Sequence, residues 1–208
     1  MPEAESKKRV SKPVETIRQI QKSCFKHDDD MRWLIALIPD TGMRLSEAAG
    51  LHIDDTKLDK DIPCVDIKPH PWRSLKTKGS QRQVPLVGAS LWAAQRVKAV
   101  ASSCFAFPRY TDKSRCNANS ASNALNKWLH ANFRKDIVIH GFRHAMRDRL
   151  RTVSCPSKMI NQTGGWSKRS VGEGYREGCL VLQTKQWMTR LVLHLSSKPT
   201  ERNFASGK

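Results

Sequence analysis

The sequence predicts an α+β fold that is mainly helical and contains one small antiparallel sheet. Apolar residues recur at helical spacing over residues 32–38 and again in several segments after residue 89. Residues 62–67 and 81–86 have the pattern of strands instead. Because strands and helices do not alternate along the chain, a parallel sheet is not expected. The pattern indicates helices packed around a single hairpin-based sheet.

The chain has 208 residues, which is enough for one domain with a good core. Residues 1–27 are rich in Lys, Ser and Glu, and we expect an N-terminal tail or linker there, with at most a short helix over 14–20. The folded domain is expected to span residues 28–195. Residues 196–208 have the composition of a C-terminal tail.

Two helices are predicted at the start of this domain. Three aspartates at 28–30 supply capping oxygens for a helix over 32–38, which Pro39 is expected to stop. A second, short helix is predicted over 43–49, with Gly50 as its C-terminal cap.

The two predicted strands are connected by a segment whose glycine and serine are typical of a hairpin, Lys76-Thr77-Lys78-Gly79-Ser80. After this sheet the helical period returns. The later predicted helices span residues 91–100, 121–133, 142–153, 157–163 and 180–195.

The charge of the chain is strongly positive. It has 37 Lys and Arg against 19 Asp and Glu, a formal net charge of +18. A positive field of this size favours a polyanionic partner, most commonly a nucleic acid. An anionic membrane surface is an alternative that composition leaves open.

Cysteine spacing and hydropathy exclude several classes of protein. The six cysteines are far apart, without a C-x-x-C pair or a Cys and His cluster at zinc-finger spacing, so no metal site is expected. No apolar stretch reaches the length of a membrane span, and the N-terminus lacks the features of a secretory signal. We therefore expect a cytoplasmic protein with reduced thiols.

Arg44 stands at the start of a predicted helix, directly after the Thr41-Gly42 turn. At that position its guanidinium projects from the end of the helix, where the planar fork suits a phosphate clamp. A solvated surface arginine is the alternative.

His140 and Arg143 are three residues apart at another predicted helix start and share a face, so both can reach one phosphate. His144 follows four residues after His140, which makes a metal pair conceivable. No third ligand follows at a matching interval, so we do not predict one. The alternative is a histidine buried against Phe142 and Met146.

Tyr175 is one of two tyrosines and follows a glycine-rich stretch that begins at Gly164-Gly165-Trp166 and continues with Gly172 and Gly174. Glycines allow close approach of the backbone to a ligand. Tyr110 follows Phe107-Pro108-Arg109 and is interpreted as a packing residue. A half-buried anchor is the alternative for Tyr175 as well.

Taken in order, these residues resemble the catalytic set of tyrosine recombinases of the phage-integrase type. The segment Thr41-Gly42-Met43-Arg44-Leu45-Ser46-Glu47 looks like the first-arginine box of that family, and Lys76-Thr77-Lys78 before Arg82-Gln83-Val84-Pro85-Leu86 looks like its catalytic hairpin. The resemblance covers roughly residues 30–180. The chain differs in having Trp166 where the family often has His. Its N-terminal segment is also too short for the DNA-clamping domain of full recombinases, so we expect a fragment or a minimal member.

The resemblance implies duplex DNA as substrate and Tyr175 as the nucleophile that forms a 3′-phosphotyrosyl link, with neither ATP nor a metal cofactor. Arg44, Arg143 and Trp166 would then stabilise the phosphorane. Lys76, or as second choice Lys78, would protonate the leaving oxygen. His140 would contact the phosphate or Tyr175.

The resemblance also implies supporting roles. Glu47 and His144 are expected to hold active-site groups in place, although a solvated helix glutamate is the alternative for Glu47. Contacts to the DNA backbone are expected from Arg147, Lys168 and Arg169. The helix over 180–195 either docks on a neighbouring protomer of a tetramer on DNA or packs on its own core. A type IB topoisomerase and a DNA-binding protein without catalysis are the rival functions.

Overall fold

A computed structural model describes residues 14–77, 80–166 and 177–196. Over these residues the chain is mainly helical with one three-stranded antiparallel sheet, which confirms the predicted class. The helices are α1 (Val14–His27), α2 (Asp30–Thr41), α3 (Leu45–Ala49), α4 (Gly88–Ala99), α5 (Ala118–Asn132), α6 (Ile139–Thr152), α7 (Ser157–Gly164) and α8 (Glu177–Ser196). The strands are β1 (Thr56–Lys57), β2 (Cys64–Ile67) and β3 (Arg82–Pro85).

The first helix, α1, corrects the predicted N-terminal tail. It continues seven residues beyond the predicted helix over 14–20, to His27, and packs against α2. Ile17, Ile20 and Cys24 on its inner face are fully buried in the core. These apolar residues are three and four apart, which is the spacing of one helix face. The fold therefore includes Val14 and does not begin after Asp28.

The central helix, α2, begins as predicted and ends differently. The side chain of Asp29 accepts a hydrogen bond from the backbone N–H of Arg32 at 3.0 Å, as expected of a cap. The prediction that Pro39 stops the helix is wrong, because α2 continues to Thr41. The helix ends where Gly42 adopts the left-handed conformation (φ 63°), which glycine tolerates without a steric penalty.

The sheet has the order β1-β2-β3, with Cys64 paired to Pro85 and Ile67 to Arg82. Both predicted strands are present, with shorter bounds. β1 has two residues, too few to show an alternating pattern in the sequence. The connection from β2 to β3 is longer than a tight hairpin and contains its own bridge between His70 and Arg73.

The core lies around α2, which is buried from Trp33 to Thr41 and packs against α1, α3, α4 and α6. The last helix, α8, packs against β3, α6 and α1, with Met188 and Leu191 buried. Of the two alternatives for this helix, the structure shows packing on its own core. Tyr110 is buried, as predicted for a packing residue.

Among the described helices, none is both long and apolar enough to cross a membrane. The cysteines at 24, 64, 104, 116 and 155 are free thiols.

Candidate active site

The candidate site is built around Glu47, whose side chain is only 2% exposed. Arg44 caps the N-terminus of α3, and its backbone N–H donates to Glu47 Oε2 at 2.9 Å. The Arg44 guanidinium also donates through Nη1 to Glu47 Oε1 at 2.6 Å. From the sheet, Arg82 Nη2 donates to Glu47 Oε2 at 2.9 Å. One buried carboxylate thus holds two guanidinium groups, which excludes the alternative of a solvated helix glutamate.

The environment keeps Glu47 ionised. Burial disfavours the charged carboxylate, but the opposite charges and hydrogen bonds of Arg82 and Arg44 outweigh it and lower the pKa of Glu47 below its usual range. Glu47 is therefore a fixed negative charge between two cations at neutral pH.

Arg143 approaches the same cluster from α6 and is 3% exposed. Its two terminal nitrogens donate to the backbone carbonyls of Gly42 and Gly164. Burial, together with the nearby cations Arg82 and Arg44, lowers the pKa of Arg143 to about 9. A nearby anion would act in the opposite direction and favour the charged guanidinium.

Trp166 forms one wall of the cluster. The guanidinium carbon of Arg143 lies 4.4 Å from the centre of its ring, and that of Arg147 lies 5.2 Å away, both within the range of a cation–π contact. The ring covers Gly164 so closely that an added Cβ there would lie 2.0 Å from it. Gly165 adopts φ 63°, so the glycine pair ends α7 and turns the chain to place the indole beside Arg143.

Further hydrogen bonds tie the turn after α7 and the start of β3 to Arg44. Arg44 Nη1 donates to Ser80 Oγ at 3.1 Å, and Arg44 Nη2 donates to the carbonyl of Gly165 at 3.4 Å. Arg82 Nε donates to the carbonyl of Thr163 at 2.8 Å. Arg44 and Arg82 pair with the Glu47 carboxylate and Arg143 lies beside them, so three cations face one anion and the cluster has an excess of positive charge. Its chemical complement is an anion with several acceptor oxygens.

The predicted histidines lie at the start of α6. His140 is exposed and His144 is half-buried. The rings of His140 and His144 are 5.1 Å apart and nearly perpendicular. Among the described residues no group of three or more His, Cys, Asp or Glu could hold a metal ion.

Lys76 is exposed in the connection between β2 and β3. The other predicted site residues, Tyr175, Lys78, Lys168 and Arg169, lie outside the described residues. The structure brings together Arg44, Glu47, Arg143, Trp166 and Arg147.

Sequence reasoning missed two buried arginines at this site. Arg82 belongs to the segment that resembles the catalytic hairpin, yet we did not assign it a role. Its position at the start of a strand beside a lysine-rich loop was a usable signal. Arg73 is 3% exposed and donates to the carbonyls of Glu47 at 2.6 Å and of Lys68. No sequence pattern near Arg73 indicates that it is buried, because it binds backbone carbonyls, which every residue has.

The chain matches the model of the phage integrase family over residues 11–177. This match begins before α1. No curated protein sequence matches the chain at a significant level.

Solved structures with a similar fold include the Tn1549 transposon integrase in complex with a circular intermediate DNA, at a TM-score of 0.61 and 15% identity over 94% of this chain and 68% of that one. The same integrase in complex with transposon right end DNA has a TM-score of 0.56 and 16% identity, over 89% of this chain and 63% of that one. XerA recombinase has a TM-score of 0.59 and 13% identity, over 92% and 64%. This chain thus spans about two thirds or less of these proteins.

Proposed function

This chain belongs to the phage integrase family, and we propose that it is a site-specific tyrosine recombinase that cleaves and rejoins duplex DNA through a phosphotyrosyl intermediate. The observation that supports this proposal best is the arginine cluster around Glu47. A cluster with excess positive charge, partly buried and rich in N–H donors, suits the phosphate at which strand cleavage occurs.

Arg44 and Arg143 bind the scissile phosphate in this proposal. A guanidinium has more N–H donors than the two carbonyls bound by Arg143 use, so donors remain for phosphate oxygens. The indole N–H of Trp166 adds one more, although an indole cannot carry a proton between groups. As charge builds on the phosphorane, each such donor is worth about 3 kcal/mol of transition-state stabilisation.

The Tyr175 hydroxyl loses its proton to solvent, which a site with excess positive charge favours, and its oxygen then attacks phosphorus. The new O–P bond replaces the bond from phosphorus to the 5′ oxygen, which leaves as a hydroxyl after it takes a proton from Lys76, with Lys78 as the second choice. Rejoining is the reverse reaction with a 5′ hydroxyl as the attacking group. The phosphotyrosyl link conserves the bond energy, so the cycle needs no ATP and no cofactor.

Other residues of the set assist binding. His140, exposed at the start of α6, donates to a phosphate oxygen, and His144 beside it orients the imidazole. Arg147, stacked on Trp166, contacts the DNA backbone with Lys168 and Arg169.

The remaining parts of the proposal concern assembly and location. The protein would assemble as a tetramer on DNA, using surface that the packing of α8 leaves exposed, such as Leu182. It would act in the cytoplasm of a bacterial or phage-infected cell.

A suicide substrate tests the nucleophile. We would incubate the protein with a pool of nicked duplexes that carry a randomised segment, and sequence the DNA in SDS-stable adducts to obtain the preferred site. Wild type should form an adduct on that site and Tyr175→Phe should not. An adduct that persists in Tyr175→Phe contradicts the nucleophile assignment.

The rival functions give different outcomes. Salt-sensitive binding without any adduct supports a DNA-binding protein without catalysis. Relaxation of supercoiled plasmid that lacks the selected site supports a type IB topoisomerase.

A further inference from the structure

Ser80 connects the loop that carries Lys76 to the arginine cluster. Its side chain is fully buried, and its Oγ accepts a hydrogen bond from Arg44 Nη1 at 3.1 Å. The same Oγ lies 3.0 Å from the hydroxyl of Thr77, the residue after Lys76. The backbone N–H of Ser80 also donates to the carbonyl of Thr77 at 3.0 Å. Ser80 is thus joined to Thr77 through both side chain and backbone.

Ser80 Oγ takes part in two side-chain hydrogen bonds. A guanidinium can only donate, so Ser80 accepts from Arg44. In the bond between Ser80 and Thr77 either hydroxyl can be the donor. Ser80 therefore links Arg44, the predicted phosphate ligand, to Thr77. Thr77 directly follows Lys76, the predicted proton donor.

Ser80 is itself held in place by the cluster. Its carbonyl accepts from Arg82 Nη1 at 2.7 Å. A Cβ on Gly165 would come within 3.4 Å of its Cα, so the turn after α7 lies directly against it. Thr77, by contrast, is exposed. Ser80 is thus fixed by its contacts with the arginine cluster, and its hydrogen bonds to Thr77 restrict the position of the exposed loop.

Losing the Ser80 hydroxyl should affect the two ends unequally. Arg44 keeps its bonds to Glu47 and to the carbonyl of Gly165. Thr77 loses its side-chain partner, and the exposed loop with Lys76 gains freedom. A proton donor must lie within hydrogen-bond reach of its acceptor, so greater loop freedom reduces proton transfer more than phosphate binding.

We propose that Ser80 is a positioning residue that holds the lysine-bearing loop at the scissile phosphate, so that its contribution is to protonation of the leaving oxygen. This inference rests on the proposed function. It predicts a specific chemical signature, because only a step that needs an acid should depend on Ser80.

A substrate with sulfur in place of the bridging 5′ oxygen reveals that signature. A thiol is a much stronger acid than an alcohol, so the 5′ thiolate leaves without a proton donor. We would measure single-turnover adduct formation on matched oxygen and sulfur substrates carrying the selected site. On the oxygen substrate, Ser80→Ala should form the adduct about tenfold more slowly than wild type. This is a fraction of the rate enhancement of about 10²- to 10⁴-fold that general acid catalysis supplies. On the sulfur substrate it should stay within about twofold of wild type.

Three variants complete the experiment. Ser74→Ala removes an exposed hydroxyl from the same connection and should leave both rates unchanged. Arg44→Ala should slow adduct formation on both substrates, because Arg44 is the proposed phosphate ligand. Thr77→Val changes an exposed residue and should repeat the oxygen-specific defect, so that the test does not depend on the folding of a protein with an altered buried residue.

The role of Ser80 is overturned if Ser80→Ala and Thr77→Val slow adduct formation equally on both substrates. It is also overturned if neither variant slows adduct formation on either substrate. Lys76→Ala separates that result from the acid assignment, because an equal loss on both substrates in Lys76→Ala overturns the assignment of Lys76 instead. If wild type forms no adduct with either substrate, the proposed recombinase function fails, and this inference fails with it.

Discussion

Two buried ion-pair clusters lie at opposite ends of the same stretch of chain, around Asp40 and around Glu47. Asp40 Oδ1 accepts from Arg149 Nη2 at 2.9 Å, and Oδ2 accepts from Gln21 at 2.9 Å. Arg149 Nη1 donates to the carbonyl of Pro39 at 3.1 Å. Asp40 and Arg149 have side chains only 1% and 4% exposed, so this pair has one cation and one anion and is almost completely buried.

The Glu47 cluster has a different charge balance. Glu47 faces Arg44 and Arg82, with Arg143 beside them, and Arg44 remains 22% exposed. The difference also shows in acidity. Burial prevails at Asp40 and raises its pKa, whereas the arginines prevail at Glu47 and lower its pKa.

Burial of charged groups does not by itself indicate function, because both carboxylates are buried and only their charge balance differs. In a balanced, closed pair, removal of one partner leaves the other charge buried and uncompensated, so the pair is needed for the fold. In a cluster with surplus positive charge, a bound anion reduces the repulsion between the cations. The Asp40 pair is thus structural, and it holds the end of α2 from which Gly42 and Arg44 follow.

The largest expected effect is on stability at the balanced pair. Asp40→Ala should lower the free energy of unfolding by about 3 to 5 kcal/mol, because it leaves Arg149 buried without its counter-charge. Urea denaturation measures this. Asp136→Ala, which breaks an exposed pair with Arg134, should change the free energy by less than about 1 kcal/mol. Similar losses in the two variants would remove the distinction between buried and exposed pairs here.

The next effect is on activity at the unbalanced cluster. Arg143→Met should slow adduct formation about 10²- to 10³-fold, because it removes donors aimed at the phosphate. Its free energy of unfolding should change by less than about 2 kcal/mol, since relief of repulsion from Arg44 and Arg82 offsets the two lost hydrogen bonds. Single-turnover cleavage and urea denaturation measure the two quantities.

Arg149→Met provides the matched control for Arg143→Met. Its free energy of unfolding should fall strongly, because Asp40 is left buried without its counter-charge.

Inorganic phosphate should raise the Tm of wild type more than that of Arg143→Met, because a ligand that binds only the folded state stabilises it. Equal stabilisation of both proteins by phosphate would contradict an anion site at Arg143.

The smallest effect is a pH dependence at Glu47. Its pKa is lower in the folded protein than the ordinary 4.5, so its charged form stabilises the fold above that pH. This contribution is lost as the pH falls through the folded pKa. Unfolding free energies at pH 7 and at lower pH should therefore show the advantage of wild type over Glu47→Gln shrinking on acidification. An advantage that grows on acidification would mean that burial, and not the arginines, controls this carboxylate.

Much of the fold was predictable because its signals are local. The aspartate cap and the later helices follow from residues within one or two turns of each other. The errors came where distant packing decided the outcome. Polar residues at the N-terminus concealed the apolar face of α1, which is buried by packing against α2 and α8. Pro39 lies in the last turn of its helix, where Gly42 supplies the stop.

By itself, the sequence determined the order of the functional residues and the helical class, because both depend on residue type and short spacing. Only the tertiary structure decided which arginines share Glu47. Arg82 lies 35 residues from Glu47, and Arg143 lies 101 residues from the carbonyl of Gly42 that it binds. Contacts at such separations depend on how helices and sheet pack, so no local pattern shows which groups these two arginines bind.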